Sequence, residues 1–182
     1  RDVVDHGGNT IYYSNLTTDP ETFKMAVAAA RKYGVYVFGQ FTGALYLRPA
    51  SGTNYYETVT KPTAERILPQ YRNLEGVLGW MGKEEATPDE LPLVIEYRKL
   101  CRKLDPTHAL FTLHNLPVSF RADTDAYADW YGFDRYRFKV ISPGNVISTP
   151  REVVSLLGQE LRWCHEEAAK RGRPLIYVGQ AW

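Results

Sequence analysis

Short runs of β-branched and aromatic residues alternate with longer amphipathic stretches along the whole chain. The short runs are typical of strands, and we predict them at residues 10–13, 35–38, 76–81, 109–113, 128–133 and 174–178. Between most of them, apolar residues recur at helical spacing, in four stretches that begin near Asp19, Pro62, Thr87 and Thr149. Three of these starts combine a capping residue, a proline and an acid, which favours helix initiation. The pattern predicts about six strands and four helices.

This alternation indicates the class of fold. Strands that are separated by helices cannot pair as hairpins, so the sheet is predicted to be mostly parallel. The candidates are a (β/α)8 TIM barrel and an open doubly wound sheet, but no GxGxxG or GxxxxGK[ST] motif follows the first strand. A complete barrel takes about 250 residues, so a chain of 182 residues predicts an incomplete α/β TIM barrel.

Polar or aromatic residues follow nearly every predicted strand. A barrel gathers all of its strand ends at one mouth, whereas an open sheet uses mainly those near its switch point. This distribution therefore also favours the barrel. We expect a single catalytic-type barrel domain over residues 1–182, truncated at both ends, because the chain begins at Arg1 and stops directly after an apolar run. The missing barrel segments would belong to a longer parent chain.

Composition and charge exclude several classes of protein. The net charge of +1 argues against a nucleic-acid-binding protein, which usually has a basic surplus. The apolar runs are shorter than the roughly 18–20 residues that a membrane helix needs, so no membrane span is predicted. Cys101 and Cys164 lie on the apolar stripes of different predicted helices, so we predict buried thiols rather than a disulfide framework or a zinc site.

The most informative stretch is the segment at residues 74–86, which reads LEGVLGWMGKEEA. It resembles the fourth-strand segment of TIM-barrel glycoside hydrolases of the clan-A type, where GWxxxDEP or NEP places the acid/base glutamate at the barrel mouth. Glu84 takes the position of the Asp, Glu85 that of the acid and Ala86 that of the proline. Three other segments resemble the same barrels in the same order: HGGNT at 6–10, DWYGFDRY at 129–136 and PLIYVGQAW at 174–182.

The resemblance implies that Glu85 is the general acid/base. Glycosidic cleavage needs a carboxyl of raised pKa to protonate the leaving oxygen. A carboxylate at Glu84 would raise that pKa by like-charge repulsion, and Lys83 would oppose the shift. If Glu85 faces the barrel interior, strand alternation predicts that Val77, Gly79, Met81 and Lys83 do so too, while Leu78 and Trp80 pack against the helices. Locally, two acids before a helix are also explained by the helix dipole alone.

The second carboxylate is left open by the sequence. Family members with a double-displacement mechanism carry a nucleophilic Glu at the end of the seventh strand, where this chain has Gln180. Asp134 is one candidate, as general base or nucleophile. Alternatively, Glu84 orients an N-acetyl group of the substrate while Glu85 donates the proton, or the partner lies on the absent eighth strand.

The strand ends are also suited to binding sugars, because flat aromatic faces cover C–H surfaces while polar groups bond hydroxyls. The predicted substrate-binding residues are Tyr13, Asn15, Gln40, Phe41, Tyr46, His114, Asn115, Arg135, Tyr136, Gln180 and Trp182. No HExxH or first-strand His-x-His is present, so we expect no metal and no cofactor. The predicted function is hydrolysis of a glycosidic bond in an oligo- or polysaccharide. The alternatives are a glycan-binding barrel that has lost its nucleophile and an enzyme for a different substrate class on the same scaffold.

Overall fold

The computed structural model describes residues 2–5, 7–13, 19–40, 56–84, 86–87, 90–114, 128–134 and 150–178. The strands are β1 (Thr10–Tyr13), β2 (Tyr36–Gly39), β3 (Val77–Glu84), β4 (Ala109–His114), β5 (Trp130–Asp134) and β6 (Leu175–Val178). The helices are α1 (Asp2–Asp5), α2 (Pro20–Arg31), α3 (Lys61–Ile67), α4 (Leu91–Leu104) and α5 (Pro150–Lys170). A π-helical turn, Tyr56–Thr60, leads into α3, and a 3-10 turn, Leu68–Gln70, follows it.

The six strands form one parallel sheet in the order β1-β2-β3-β4-β5-β6. The sheet is curled into a half barrel with the helices on its outer side. This confirms the predicted partial TIM barrel. Each strand pairs with the next strand in the chain, so the carboxyl ends of all six lie along one edge, which we call the carboxyl rim.

The capping residues explain the position of α2. The carboxylate of Asp19 accepts a hydrogen bond from the backbone N–H of Glu21 at 3.0 Å, and Pro20 is the first helical residue. At the other end Gly34 has a φ of 69°, a left-handed conformation that glycine adopts without steric cost. The helix therefore begins where the sequence predicts.

The larger apolar cluster lies between the sheet and the helices. Its centre is a group of fully buried rings, in which Phe23 of α2 contacts Tyr71 and Trp80 at centroid distances of 4.9 and 6.1 Å. Cys101 and Cys164 are buried in the same cluster, as predicted. Burial raises the pKa of each thiol to about 12.

Asp129 joins two elements at the amino-terminal end of β5. Its carboxylate accepts hydrogen bonds from Arg98 and Arg102 of α4 and from the backbone N–H of Leu110 in β4. Burial alone would raise the pKa of Asp129, but the hydrogen bonds from Leu110 and the two arginines lower it below its usual value. The side chain thus connects α4 to the sheet.

A second apolar cluster covers the concave side of the sheet, away from the helices. It consists of Phe38, Met81, Phe111 and Leu113, with Leu78, Trp130 and Ile176 packed against it. Met81 and Trp80 therefore lie on the concave and helix sides respectively, as predicted. The prediction for Val77 and Leu78 is wrong: Val77 is in the helix-side cluster and Leu78 packs on the concave side.

The reason is an irregularity in β3. Val37 pairs with Val77, but Phe38 pairs with Gly79, so Leu78 is an extra residue that reverses the alternation. A second register shift separates the pairs Met81–Phe111 and Glu84–Leu113. Simple alternation counted backwards from Glu85 therefore does not hold along this strand.

Candidate functional site

The predicted site residues lie in the sequence at or just after the carboxyl ends of the strands, which form the carboxyl rim. Glu84 is the last residue of β3 and pairs with Leu113, and Asp134 is the last residue of β5 and pairs with Val178. Of these two acids the structure describes the backbone position. Nine other predicted site residues lie outside the described residues: Asn15, Phe41, Tyr46, Glu85, Asn115, Arg135, Tyr136, Gln180 and Trp182.

Tyr13 lies at the carboxyl end of β1, but its side chain is on the helix side. Its ring contacts Phe23 at a centroid distance of 5.5 Å and packs against the helix-side cluster. Its neighbour Tyr12 has the opposite orientation. Tyr12 is 49% exposed, and its hydroxyl lies 3.0 Å from Sδ of Met81 in the concave cluster. Of this tyrosine pair, Tyr12 is therefore the one that faces the concave side.

His114 ends β4 and is almost completely buried. Its side chain is on the same face of the strand as Thr112, whose hydroxyl lies 3.2 Å from Nε2 of the imidazole. His114 also pairs in register with Phe133, a residue of the helix-side cluster. Burial lowers the pKa of His114 to about 4, because the charged form loses its hydration. It is thus a neutral imidazole on the outer side of the sheet at neutral pH.

Gln40 follows β2 at the rim. Its backbone N–H donates a hydrogen bond to the carbonyl of Tyr13 at 2.9 Å, which extends the pairing of β1 and β2. The residue is half-buried. It lies two positions after Phe38 of the concave cluster, so regular strand alternation places both on one face. Of the predicted binding residues that the structure describes, Gln40 has the position closest to the expected one.

The concave side presents an aromatic floor below the rim, formed by Tyr12, Phe38, Phe111 and Trp130. Phe38 contacts Phe111 and Trp130 at centroid distances of 4.6 and 5.6 Å, the second in an edge-on arrangement. Such contacts hold the rings in fixed orientations. The sequence predicts aromatic residues at the strand ends, whereas Tyr12, Phe38 and Phe111 lie within their strands and Trp130 is the first residue of β5.

Glu90, the residue before α4, contacts both Thr87 and Lys83 through its carboxylate. Oε2 of Glu90 accepts hydrogen bonds from the backbone N–H and the hydroxyl of Thr87, at 2.8 and 3.1 Å. The first of these is the bond by which the acid of a capping box reaches back, but the N–H of Glu90 donates to the carbonyl of Thr87 rather than to its hydroxyl. The helix therefore begins at Leu91, later than the predicted start near Thr87. In addition, Oε1 of Glu90 lies 3.8 Å from Nζ of Lys83. No periodicity in the sequence reveals this ion pair, because Lys83 belongs to the preceding strand.

Among the described residues, no group of three or more His, Cys, Asp or Glu is arranged to hold a metal ion. No helix in the described part of the chain is long and apolar enough to cross a membrane.

A groove of about 320 Å³ lies on the outer surface between the π-helical turn and α4. Its charged lining includes the ion pairs Lys61–Glu57 and Lys99–Glu96. This groove is separate from the concave side.

Comparison with known proteins connects this architecture to one class of enzymes. No protein-family model matches the chain, and no curated protein matches it in sequence. Solved structures do match. A hyperthermophilic endo-β-1,4-glucanase in complex with substrate superposes with a TM-score of 0.68 at 15% identity, over 95% of this chain and 67% of its own.

Two other glycoside hydrolases have the same fold. The β-D-glucuronidase of Dictyoglomus thermophilum matches with a TM-score of 0.62 at 20% identity, and a GH5 lichenase of Caldicellulosiruptor sp. F32 with 0.66 at 11%. They cover 99% and 96% of this chain. The chain spans 32% of the glucuronidase and 63% of the lichenase. Glycoside hydrolases are thus its structural neighbours, and the shared property at these identities is the partial TIM-barrel fold.

Proposed function

We propose that this chain is part of a glycoside hydrolase barrel and that the whole protein cleaves a glycosidic bond in an oligo- or polysaccharide. The main support is the half barrel itself, in which β3 ends at the rim with Glu84 as its last residue. Active sites of TIM-barrel enzymes lie at this rim. The GWxxxxE pattern of residues 79–85 and the glycoside hydrolases among the structural neighbours point to the same chemistry.

In this proposal Glu85 is the general acid/base. Its carboxyl group protonates the leaving oxygen, and a carboxylate at Glu84 favours the protonated form by like-charge repulsion. Asp134 is the proposed second acid. Its position has the same strand parity as Trp130 and Gly132 in β5, and Trp130 packs on the concave side. The distance between the two carboxyl groups would indicate the stereochemistry, about 5–5.5 Å for retention and about 6.5–9.5 Å for inversion.

The proposed substrate is a carbohydrate bound against the concave side. Tyr12 offers an exposed ring there, and Phe38 and Trp130 provide apolar surface on the same side of the sheet. Sugar rings present C–H surface on their faces and hydroxyls at their edges. The remaining polar contacts would come from the rim, including Gln40 and the predicted residues after β4, β5 and β6.

The test is replacement of the proposed acid in the full-length protein. Glu85→Gln removes the transferable proton and keeps the shape of the side chain, so hydrolysis of aryl glycosides and polysaccharides is expected to fall at least about 100-fold. Glu75→Gln is the matched control, because Glu75 precedes β3 at the opposite end of the barrel and its carboxylate is 78% exposed in a surface pair with Arg31. An unchanged rate in Glu85→Gln removes Glu85 from the mechanism.

A glycan-binding barrel without catalysis is the second candidate. It is favoured by Gln180, which stands where the resemblance to retaining glycosidases requires a carboxylate. Calorimetry that shows sugar binding, together with no turnover across a broad panel of aryl glycosides, would support this function over the first.

A further inference from the structure

The groove on the outer surface, which we call the outer groove, combines an apolar part with two charged walls. The apolar part consists of Tyr56, which is 7% exposed, and of Leu93 and Leu100, which are partly buried against the helix-side cluster. Its volume of about 320 Å³ lies at the lower end of the range of small-ligand pockets, about 300–1,000 Å³. One wall includes the π-helical turn Tyr56–Thr60, and such turns occur frequently at functional sites.

Each wall of the outer groove carries an ion pair that remains accessible to solvent. Lys61 of α3 contacts Glu57 of the π-helical turn at 3.1 Å, and Lys99 contacts Glu96 within α4 at 2.6 Å. The four side chains are between 41% and 67% exposed. Their ammonium and carboxylate groups can therefore exchange hydrogen bonds with a ligand that replaces the surrounding water.

Lys103 adds a positive charge to the outer groove. It lies one helical turn after Lys99 on α4, and it forms no ion pair with any residue that the structure describes. Like charges four residues apart on a helix repel each other modestly. The described lining residues thus carry three ammonium groups against two carboxylates. An anionic group beside Lys103 would be attracted by this surplus.

The mixture of charges indicates the chemistry of the ligand. A hydrocarbon chain between the walls would remove water from two ion pairs and offer no hydrogen bonds in exchange, which is unfavourable. Sugar hydroxyls both donate and accept, so they can bond carboxylates and ammonium groups alike, while sugar C–H surfaces cover Leu93 and Leu100. A neutral sugar would leave Lys103 without a counter-charge, whereas a sugar carboxylate would supply it.

We propose that the outer groove is a binding site for an acidic oligosaccharide, with sugar hydroxyls bonded to the two ion pairs and a sugar carboxylate beside Lys103. A protein partner fits less well, because stable protein interfaces involve about 20–30 residues on each side. The site is separate from the concave side and holds a glycan without cleaving it. The proposal therefore does not depend on whether Glu85 is the general acid.

The test is calorimetric titration of the full-length protein with trigalacturonate and with its methyl ester, which has the same sugar rings but no charge. We expect the acid to bind and the ester to bind at least about threefold more weakly, because it lacks the charge that Lys103 attracts. Tricarballylate, a tricarboxylate without sugar rings, should also bind more weakly. Absence of trigalacturonate binding, or equal affinity for the ester or for tricarballylate, would overturn the proposal.

Lysine acetylation measured by mass spectrometry shows where the trisaccharide lies. Bound trigalacturonate should slow the acetylation of Lys61, Lys99 and Lys103 in proportion to the fraction of protein bound. Acetylation of Lys32 should not change, because Lys32 lies at the carboxyl end of α2 and outside the outer groove. Binding that leaves all three groove lysines as reactive as before would place the sugar elsewhere and overturn the proposal.

Lys103→Gln tests the extra charge directly. We expect this variant to bind trigalacturonate about threefold to fivefold more weakly, which is the contribution of one exposed charge pair. Lys32→Gln is the matched control, since it removes the same charge from the carboxyl end of another helix and should leave the affinity unchanged. Both lysines also interact favourably with a helix dipole. Wild-type affinity in Lys103→Gln would leave Lys103 only that role and contradict the proposed site.

Discussion

The indole nitrogen of Trp80, at the centre of β3, donates a hydrogen bond to Oδ2 of Asp105 at a distance of 2.7 Å. The same oxygen accepts from Nδ1 of His108 at 2.7 Å, and Oδ1 accepts from the hydroxyl of Thr107 at 2.7 Å. Asp105 is 1% exposed and directly follows α4. One carboxylate therefore satisfies a buried indole, ends a helix and fixes the loop that leads into β4.

Asp105→Asn is expected to destabilise the protein by about 1–3 kcal/mol at pH 7, because an amide nitrogen replaces one of the two acceptor oxygens and leaves buried donors unpaired. Chemical denaturation of both proteins measures the difference in unfolding free energy. Glu57→Gln is the control. It removes a carboxylate from an exposed pair with Lys61, and exposed pairs contribute little. Equal losses in both variants would contradict the role assigned to Asp105.

The loss of stability in Asp105→Asn is also expected to depend on pH. Burial alone would raise the pKa of Asp105, but its hydrogen bonds with His108, Thr107 and Trp80 lower it below its usual value. A carboxylate with a lowered folded-state pKa stabilises the fold above its unfolded pKa of about 3.9, and this contribution is lost as the pH falls through the folded value. The stability gap between wild type and Asp105→Asn should therefore narrow below about pH 4. A difference in unfolding free energy that stays constant down to pH 2.5 would contradict this role of the Asp105 charge.

The burial of His114 is expected to make the stability of the protein depend on pH in a second, separate range. Its pKa is about 4 in the folded chain because of burial, against about 6.5 when unfolded. Since the unfolded state binds the proton first, stability decreases as the pH falls from about 6.5 towards 4, by up to about 3 kcal/mol. His114→Gln is expected to flatten the stability profile between pH 7 and 5. Urea denaturation at half-unit pH steps provides the measurement.

His165→Gln is the matched control for that experiment. His165 is exposed on α5, so its removal should leave the slope between pH 7 and 5 as it is in the wild type. A wild-type slope in His114→Gln would show that His114 is not the group that titrates.

The helices and the strand order follow from local sequence, and the orientation of single side chains does not. Asp19, Pro20 and Gly34 define α2 because caps and left-handed glycines act within one turn. Whether Tyr12 or Tyr13 faces the concave side depends on the register between β1 and the rest of the sheet. A change of one residue exchanges the two faces, and residues 10–13 contain no polar alternation that fixes it.

In the candidate site, too, some features could be predicted from the sequence and others could not. That Glu84 lies near the carboxyl end of β3 could be predicted, although the strand extends to Glu84 itself and not only to Met81. The reversal at Val77 and Leu78 could not, because an extra residue in β3 becomes visible only when the partner Val37 and Phe38 are known. The link between Lys83 and Glu90 likewise joins a strand to the next helix and has no signal in either segment alone.

Gly79, which precedes Trp80 in β3, lies in close contact with the neighbouring strand β4. A Cβ atom at this position would stand 2.3 Å from the carbonyl oxygen of Ala109 in β4 and 3.2 Å from the ring of Phe38. A backbone carbonyl within a parallel sheet cannot move away without breaking its own pairing. The close approach of β3 and β4 therefore requires glycine here, and it also leaves the concave space beside Phe38 open.

Gly79→Ala is accordingly expected to destabilise the protein by about 1–3 kcal/mol through overpacking and to disturb the aromatic floor next to Phe38. Gly158→Ala is the matched control, because a Cβ at that helical position in α5 would meet no atom within 4 Å. Alanine there should stabilise by roughly 0.5–1 kcal/mol, since it favours the helix over glycine. Thermal and urea unfolding of the two variants should thus shift in opposite directions. A Gly79→Ala protein as stable as the wild type would mean that β3 and β4 are farther apart than the structure shows. The spacing of their carboxyl ends, where β3 ends at Glu84, would then also be wrong.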